Sequence, residues 1–447
     1  MSEPIISVSG LRGIVGDSLT PPSAMRFACA FAAGLPAGPI VLARDGRSSG
    51  RMLADAIRGG LAAIGRTVID ADVAATPTAG VLVRQFQAAG GIMITASHNP
   101  PQYNGIKLFD RSGQVLTAEA GQAVIERYRA GEPAWAPHDR LGALRLCNNP
   151  DDQHLRLVEQ IVASGRIQGR RYHVLLDSNH GAGSELGSML LESLGCHVTL
   201  LGGEPDGQFE HPPEPTAENL ASVLDVVRQI KADIAFCQDP DADRLAIIDE
   251  HGRYLGEEYT LALCVEHVLR RAKGPIVTNC STSRMTQDLA ARHGVPFYRS
   301  AVGEANVVAA MKAHGALFGG EGNGGVIDPR VGYVRDSFVG MALVLDAMAL
   351  RELPISRLAD ELPRYEIVKT KLELPPVKLD AALNSLEKHF PAASVDRLDG
   401  LRLDWPDRWL LVRASNTEPI VRIIAEAPSR VDAQKLCDES AKALAKV

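Results

Sequence analysis

The chain of 447 residues has few aromatic residues, no excess of positive charge and no long hydrophobic run. Phe, Trp and Tyr together make up 5% of it, and its formal net charge is −7. Because a nucleic-acid surface needs stacking platforms and basic patches, we expect no nucleic acid as a partner. No segment approaches the ~20 consecutive apolar residues of a membrane helix, so we expect no membrane partner either.

Two signals that would indicate export or a thiolate metal site are also missing. The N-terminus has no basic stretch followed by an apolar one, and the seven cysteines include no Cys-x-x-Cys pair. Their odd number and scattered positions, mostly within apolar runs, favour reduced buried thiols over a disulfide framework or structural zinc. We therefore expect a cytoplasmic protein.

The length is too great for one hydrophobic core and predicts three or four domains. Strand-like runs at 39–44 and 67–70 enclose a helical pattern at 52–64, and Thr20 followed by Pro21 marks the start of an earlier helix. This alternation predicts a mostly parallel sheet with helices on both faces.

The same order of strand, small-residue loop and helix begins again at His173 and at Pro275, which indicates three diverged copies of one unit. After about residue 365, two runs at 409–413 and 420–424 predict antiparallel strands, and a closing helix is expected from Ser429 towards Leu444. We predict three similar α/β domains with mixed or parallel sheets and a smaller C-terminal α+β domain. The expected boundaries are 1–150, 151–255, 256–365 and 366–447.

Chemically active side chains follow two of the predicted strands. Ser97 lies in Thr-Ala-Ser-His-Asn-Pro after the run 91–94, and three alternating carboxylates, Asp239, Asp241 and Asp243, follow the run 234–237. Ligands of open α/β sheets bind beyond the carboxyl ends of the strands. A divalent cation held by the carboxylates could stabilise a phosphoryl group on the serine.

Each of these two motifs has an alternative reading. A serine before Asn-Pro is common in turns, the Gly-x-Ser-x-Gly pattern of hydrolases is absent, and the adjacent His98 is not thereby placed as a base. The aspartates resemble an EF-hand loop, but Arg244 stands where that loop needs glycine. Arg244 could neutralise the carboxylates or reach a substrate.

Two further loops suit a phosphorylated sugar. The Gly-rich loop 319–325 carries Glu321 and Asn323, and it is either a flexible turn or a binder of sugar hydroxyls. The second loop is either a polar hairpin or a phosphate cradle built from two arginines and a Ser-Asn-Thr turn. Its members are Arg413, Ser415, Asn416, Thr417 and Arg422.

Two basic residues of the first domain are also candidates. Arg12 could neutralise a phosphate, and Lys107, after a predicted Asn104–Gly105 turn, could shuttle a proton if it is desolvated. Either of them alone would usually be a surface charge.

With these motifs in this order, the chain resembles the α-D-phosphohexomutase family, which includes phosphoglucomutase, phosphomannomutase and phosphoglucosamine mutase. The resemblance covers essentially the whole length and implies four domains around a central cleft, each contributing one loop. It implies that Ser97 is a phosphoserine, that Asp239, Asp241 and Asp243 bind Mg²⁺ together with an oxygen of that phosphoserine, and that a hexose 1,6-bisphosphate is the intermediate and activator.

The resemblance also implies roles for the other candidates. Glu321 and Asn323 would bind the sugar, Arg244 the substrate, and the loop from Arg413 to Arg422 the distal phosphate. Arg12, His98 and Lys107 would lie beside the phosphoserine, with Lys107 as an acid/base partner. Asn323 replaces the usual serine of the sugar loop, so hydroxyl selectivity is open.

The expected reaction interconverts hexose 1-phosphate and 6-phosphate, with glucosamine phosphate as the first choice of substrate and glucose or mannose phosphate as the alternative. A metal-dependent phosphohydrolase and a non-catalytic sugar-phosphate sensor are the more distant alternatives. The expected partner is a small phosphosugar, and the expected assembly is a monomer or a homodimer.

Overall fold

The structure is a computed structural model that describes residues 4–7, 10–373, 379–414 and 420–445. Ser415, Asn416 and Thr417, which were predicted to form part of a phosphate cradle, lie outside the described residues.

The strands are, in chain order, β1 (Ile5–Ser7), β2 (Gly10–Ile14), β3 (Ile40–Arg44), β4 (Val68–Val73), β5 (Gly90–Ile94), β6 (Tyr103–Phe109), β7 (Leu144–Leu146), β8 (His173–Asp177), β9 (His197–Leu201), β10 (Ile234–Gln238), β11 (Leu245–Asp249), β12 (Ile276–Asn279), β13 (Phe297–Ser300), β14 (Phe318–Glu321), β15 (Gly325–Ile327), β16 (Glu366–Glu373), β17 (Ser394–Asp396), β18 (Leu401–Asp404), β19 (Trp409–Ala414) and β20 (Ile420–Ala427).

The helices are, in chain order, α1 (Pro21–Ala33), α2 (Gly50–Ala63), α3 (Thr76–Gln85), α4 (Ala118–Arg129), α5 (Asp152–Glu159), α6 (Ser164–Gln168), α7 (Ser184–Ser193), α8 (Ala221–Ile230), α9 (Glu257–Arg271), α10 (Met285–His293), α11 (Glu304–His314), α12 (Ser337–Arg351), α13 (Ile355–Asp360), α14 (Leu379–His389) and α15 (Arg430–Leu444). Among the described residues, none of the helices has the length and apolar content needed to span a bilayer.

The predicted start of the first helix is confirmed. Thr20 is the N-cap of α1 and forms a reciprocal capping box with Ser23, and Pro21 follows in the first turn. Proline is well suited to this position because the first N–H groups of a helix have no partner inside the helix. The closing helix α15 likewise begins after the capping residue Ser429, as predicted.

The chain divides into two compact units, each built from two segments. The first unit comprises Met1–Arg271 and Asn323–Asp360, and the second comprises Ala272–Gly322 and Glu361–Val447. The predicted fold class of α/β domains with mixed sheets and a smaller C-terminal domain is confirmed.

The first sheet of the first unit has the strand order β1-β2-β6-β5-β3-β4-β7. Its strands β5, β3, β4 and β7 are parallel, whereas β6, β2 and β1 run antiparallel to their neighbours. The sheet is therefore mixed and not mostly parallel as predicted, because the chain returns from β5 directly as β6 without a crossover helix. The predicted turn at Asn104–Gly105 is also wrong, since both residues lie inside β6.

Both faces of this sheet are buried. Ile40 and Leu42 of β3 belong to a core with α1 and α2, whereas Val41 and Ala43 belong to a second core with α3. Successive side chains of a strand point to opposite faces, so a continuous apolar strand indicates a two-sided sheet. That part of the prediction is confirmed.

The second sheet of the first unit has the order β11-β10-β8-β9. Strands β9, β8 and β10 are parallel, and β11 returns antiparallel to β10. The aspartate loop is thus the connection between β10 and β11, as the Ser97 loop is the connection between β5 and β6. Both loops leave the carboxyl end of a buried parallel strand.

The second unit contains parallel strands and a separate antiparallel sheet. Strand β12 lies between β13 and β14, and all three are parallel. The other sheet has the antiparallel order β16-β20-β19-β18-β17, as predicted for its central pair β19 and β20. One face of that sheet packs against α14 and α15, and the other carries Trp409, Leu411 and Ile424 against Cys280.

Candidate active site

Ser97 lies in a buried, strained turn directly after β5. Its backbone φ is 49°, a left-handed value that non-glycine residues seldom adopt, and only 2% of the residue is exposed. Its N–H donates to Thr95 Oγ1 at 2.8 Å, and Thr95 Oγ1 donates to the fully buried Asp45 Oδ2 at 2.7 Å. Strain of this kind persists only where surrounding contacts overdetermine it.

Arg47 holds the same turn through its carbonyl groups. Its guanidinium donates to the carbonyls of Ser97 and Asn99 at 2.6 Å each, and to those of Pro100 and Tyr103 at 2.9 and 3.0 Å. Arg47 belongs to none of the predicted motifs. The parallel pairing of β3 with β5, which the structure shows, places the residues after Arg44 beside those after Ile94.

The three aspartates lie together and reach the serine. Asp239, Asp241 and Asp243 are fully buried, and one carboxylate oxygen of each lies within 4.8 Å of the others. Ser97 Oγ donates to Asp239 Oδ2 at 2.8 Å. The fold therefore brings the hydroxyl of Ser97 into direct contact with one carboxylate of the triad, that of Asp239, which is 142 positions away in the chain.

Three donors surround Asp241 and Asp243. Lys107 Nζ donates to Asp241 Oδ2 at 2.6 Å and to Asp243 Oδ2 at 2.7 Å. Arg335 Nη2 donates to Asp243 Oδ2 at 2.6 Å, and Thr76 Oγ1 donates to Asp241 Oδ2 at 2.5 Å. Of these donors only Lys107 was predicted. Thr76 and Arg335 lie far from the aspartates in the chain and in no motif.

The donors leave one oxygen of each of these two carboxylates available. Asp241 Oδ1 and Asp243 Oδ1 are buried and have no hydrogen-bond partner among the described residues. A buried, unsatisfied carboxylate oxygen is costly unless a ligand completes it. Oxygen ligands from several carboxylates are what Mg²⁺ and Ca²⁺ prefer, so the triad could hold a metal ion.

The triad carries its charge unevenly. Burial, together with the neighbouring Asp241 and Asp243, raises the pKa of Asp239 well above its usual range. Burial also opposes ionisation of Asp243, but the charges of Arg335, Lys107 and Arg244 outweigh it and lower the pKa of that carboxyl. The surrounding cations thus keep Asp243 ionised in a buried position.

His98 lies beside the serine in an electropositive environment. Its Nδ1 is 3.3 Å from Ser97 Oγ. The charge of Arg244, then burial and the charge of Arg12, lower the pKa of His98 to about 2. The imidazole is consequently neutral at physiological pH and is a weak base.

Arg12 and Arg244 complete the basic side of the site. Arg244 Nε is 3.8 Å from Asp243 Oδ1 and 4.0 Å from Asp239 Oδ2, and it has no hydrogen-bond partner in the described part of the chain. Burial lowers the pKa of Arg12, against the nearby charge of Asp241. Both guanidiniums are therefore close to the carboxylates, and Arg244 retains an unused buried donor for an anion.

The second unit holds the predicted sugar residue Glu321 at the end of β14. Glu321 is 4% exposed, and its Oε1 accepts hydrogen bonds from Asn279 Nδ2 at 2.7 Å and from the Gly303 N–H at 3.1 Å. These contacts fix the carboxylate. Its loop partner Asn323 belongs to the first unit, where Asn323 Oδ1 is buried without a hydrogen-bond partner among the described residues.

The two predicted phosphate arginines lie directly opposite each other in the second unit. Arg413 of β19 pairs with Arg422 of β20, and Arg422 pairs on its other side with Lys371 of β16. Like charges directly across an antiparallel pair are unfavourable unless an opposite charge compensates them. Asp399 Oδ2 accepts from Arg413 Nε at 3.0 Å. Lys371, which was not predicted, makes this a row of three cations.

Family models match four consecutive segments of the chain. They describe the phosphoglucomutase/phosphomannomutase α/β/α domains I, II and III, at residues 5–134, 152–252 and 257–365, and the C-terminal domain of the same proteins, at residues 370–443. The match therefore extends over nearly the whole chain.

Similar proteins carry two names. A phosphoglucomutase/phosphomannomutase of Thermococcus kodakarensis is 37% identical, with 97% of each chain covered. A "Probable phosphoglucosamine mutase" of the same organism is 34% identical, with 98% of this chain and 97% of the relative covered. A crystal structure of a phosphoglucomutase/phosphomannomutase family protein from Burkholderia thailandensis is 28% identical, covers 99% of this chain and 97% of its own, and superimposes with a TM-score of 0.83.

These similarities extend over 97% of the length of each of the three proteins. The chain belongs to the phosphoglucomutase/phosphomannomutase family of α-D-phosphohexomutases, and it is a phosphohexomutase of the isomerase class.

Proposed function

We propose that Ser97 carries a phosphoryl group in the working enzyme and exchanges it with a hexose phosphate. A sugar hydroxyl oxygen attacks the phosphorus, the bond from phosphorus to Ser97 Oγ breaks, and the sugar becomes a bisphosphate. After the intermediate reorients, Ser97 Oγ attacks its other phosphoryl group, so that the 1- and 6-phosphates interconvert with no net gain of phosphate. The contact of Ser97 Oγ with Asp239 inside a buried triad is the observation that supports this role.

We propose that Asp239, Asp241 and Asp243 hold Mg²⁺ together with an oxygen of the phosphorylated serine. The two carboxylate oxygens without hydrogen-bond partners support this assignment, as does the all-oxygen donor set. When bound, the ion would neutralise charge that builds up on the transferring phosphoryl group. A phosphoryl group on Ser97 would otherwise face a carboxylate at hydrogen-bonding distance.

The proton at Ser97 constrains the roles of its neighbours. A serine hydroxyl has one proton, and Ser97 Oγ–H uses it in the hydrogen bond that it donates to Asp239. In the contact with His98, Nδ1–H of the neutral imidazole is therefore the donor and Ser97 Oγ the acceptor. His98 is then a donor to the oxygen that leaves during transfer. Lys107 donates to two carboxylates as an ammonium, so we propose it as an acid that can protonate a departing oxygen.

The other predicted residues are proposed to bind the substrate. Arg12 and Arg244 would contact the transferring phosphate. Glu321 and Asn323 would bind sugar hydroxyls. The distal phosphate would be held by the predicted phosphate loop, which consists of Arg413, Ser415, Asn416, Thr417 and Arg422. The distal group must accept either phosphate of the sugar, which suits charge-assisted donors with little shape selectivity.

We propose glucosamine phosphate as the preferred sugar, because the loop variants Gly-Glu-Gly-Asn-Gly-Gly and Ser-Asn-Thr-Glu-Pro resemble those of phosphoglucosamine-mutase-like proteins. Glucose or mannose phosphate is the second candidate, which the 37% identical relative favours by its name. Comparing kcat/KM for the 1-phosphates of glucosamine, N-acetylglucosamine, glucose and mannose decides between them. A preference for glucose or mannose phosphate would overturn the first choice and leave the mutase chemistry intact.

The nucleophile is tested by Ser97→Ala. We expect this variant to take up no radiolabelled phosphoryl group from glucose 1,6-bisphosphate and to lose mutase turnover. Ser184→Ala is the matched control, because Ser184 is also buried in the first unit and its Oγ donates only a long hydrogen bond of 3.4 Å, to the Gly181 carbonyl, among the described residues. Full turnover by Ser97→Ala would refute the proposal, and release of free phosphate by the unaltered enzyme in place of isomerised sugar would favour a phosphohydrolase.

A further inference from the structure

The start of α12 contacts the aspartate loop through two side chains, neither of which belongs to a predicted motif. We propose that Arg335 is a positioning residue of the metal site, which holds Asp243 so that its Oδ1 faces the cation. This inference rests on the metal site of the proposed function.

The contacts of Asp243 divide its two oxygens into different roles. Arg335 Nη2 and Lys107 Nζ both donate to Oδ2, at 2.6 and 2.7 Å, whereas Oδ1 has no hydrogen-bond partner among the described residues. Two charged donors on a single oxygen fix the rotation of the carboxylate. The side chain of Arg335 is only 9% exposed, so solvent screens this pair weakly.

The same segment also holds the backbone of the loop. Ser337 Oγ donates to the Ala242 carbonyl at 2.7 Å, and Gln238 Nε2 donates to Ser337 Oγ at 2.8 Å. Ala242, between two of the aspartates, has a left-handed φ of 56°. Asp336 caps α12 by accepting from the N–H groups of Phe338 and Val339, so Arg335 projects from a fixed helix start.

Gly325 provides the space through which Arg335 reaches the loop. A Cβ atom at position 325 would lie 2.3 Å from Arg335 Cδ and 2.9 Å from its Cγ. Position 325 does not have a left-handed backbone, so glycine is required there for space and not for conformation. The position of the Arg335 side chain thus depends on the absence of a side chain at Gly325. An alanine at 325 would displace the arginine without removing its charge.

Positioning and simple charge predict opposite effects on metal affinity. Arg335 is a cation near a cation site, so removing its charge should tighten binding if charge alone mattered. If Arg335 positions Asp243, its removal should weaken binding, and loss of a group that orients a metal ligand typically costs about 10–100-fold in metal affinity. The sign of the change therefore separates the two.

The experiment measures Mn²⁺ binding to the full-length dephosphorylated protein by electron paramagnetic resonance of free Mn²⁺. We expect Arg335→Gln to raise the Kd for Mn²⁺ by about tenfold or more. Arg330→Gln is the matched control, because Arg330 pairs with Asp328 on the same connection, is about half exposed and contacts no aspartate of the triad. Its Kd should stay within about twofold of the wild type, because Lys107 and Arg335 still hold Asp243 in this variant.

A second variant makes the test independent of the folding of Arg335→Gln. Gly325→Ala keeps the charge of Arg335 and is expected to raise the Kd in the same direction, with the metal-free melting temperature showing whether the fold is intact. An unchanged or lower Kd in a folded variant overturns the positioning role. Absence of Mn²⁺ binding to the wild-type protein would instead refute the metal site of the proposed function.

Discussion

Two groups of buried carboxylates in the first unit differ in how completely the protein satisfies them. Asp346, in the middle of α12, is fully buried, and both of its oxygens are occupied. Oδ1 accepts from Arg166 at 3.2 Å, and Oδ2 accepts from His267 at 3.0 Å and from Arg271 at 2.6 Å. In the triad, Asp241 and Asp243 are equally buried and also accept hydrogen bonds from cationic side chains, yet each retains an oxygen without a hydrogen-bond partner in the described part of the chain.

The comparison indicates that burial and charge alone do not distinguish a structural acid from a ligand. Both environments compensate the cost of burying a carboxylate with positive charge. Of the two environments, only the triad keeps carboxylate oxygens without hydrogen-bond partners among the residues that the structure describes, and one oxygen of each of its aspartates lies within 4.8 Å of the others. An incomplete hydrogen-bond inventory in a buried acidic cluster is therefore the feature that indicates a ligand.

The largest expected effect is on catalysis, and it is measured by making the same isosteric change, aspartate to asparagine, at Asp241 and at Asp346. In Asp241→Asn the amide nitrogen can replace the unpartnered Oδ1, which removes a metal ligand while Oδ2 still accepts from Lys107 and Thr76. We expect kcat to fall by about 1,000-fold, which corresponds to ~4 kcal/mol of lost transition-state stabilisation. Asp346→Asn should keep kcat within about threefold of the wild type once stability is controlled. Comparable activity of the two variants in a mutase assay would remove the distinction between the groups.

The second effect is on stability, where we expect Asp346→Asn to be more harmful than Asp241→Asn, the reverse of their order in catalysis. Asp346→Asn places an amide donor against donors that already occupy both oxygens, so we expect the free energy of unfolding to fall by about 3 kcal/mol. Asp241→Asn in metal-free buffer need lose no hydrogen bond and reduces repulsion among three buried carboxylates, so its change should be below about 1 kcal/mol. Urea unfolding in the presence of a chelator measures both. A larger loss for Asp241→Asn than for Asp346→Asn would contradict the comparison.

The smallest effect is the pH dependence of the Asp346 group. Burial alone would raise the pKa of Asp346, but the hydrogen bond from His267 and the charges of Arg271 and Arg166 lower it below its usual value. A carboxyl whose pKa is lower in the folded state stabilises the fold above its unfolded pKa of about 3.9, and this contribution is lost as the pH falls through the folded pKa. The stability advantage of the wild type over Asp346→Asn should therefore be present at pH 5 and shrink below about pH 4. An advantage that instead grows as the pH falls below about 4 would show that ionised Asp346 does not cause it.

Local patterns predicted the parts of the site that lie at strand ends. The apolar runs before Ser97 and before Asp239 are the strands β5 and β10, and each motif follows its strand directly, as expected. Capping at Thr20 and Ser429 could be predicted because it depends on residues three positions apart. The Asn104–Gly105 prediction failed because a dipeptide that often forms turns is held inside β6 by pairing with β2 and β5.

Contacts between distant segments could not be predicted in this way. Arg47 contacts carbonyls about fifty positions away, Thr76 contacts Asp241 across 165 positions, and Arg335 contacts Asp243 across 92. None of these residues belongs to a motif, and an arginine or threonine in a loop is usually a surface residue. Their roles depend on which strand ends become neighbours in a sheet, and a single sequence does not specify strand order.

The order of amino acids by itself determined which segments form strands and helices, where the reactive side chains stand on them, and the family. These properties depend on side-chain periodicity and on motifs a few residues long, which local physical chemistry decides. The tertiary structure alone decided which charges compensate one another and which carboxylate oxygens remain without partners. Those properties depend on distances between atoms that the chain separates by many residues, and only the packing of the sheets sets those distances.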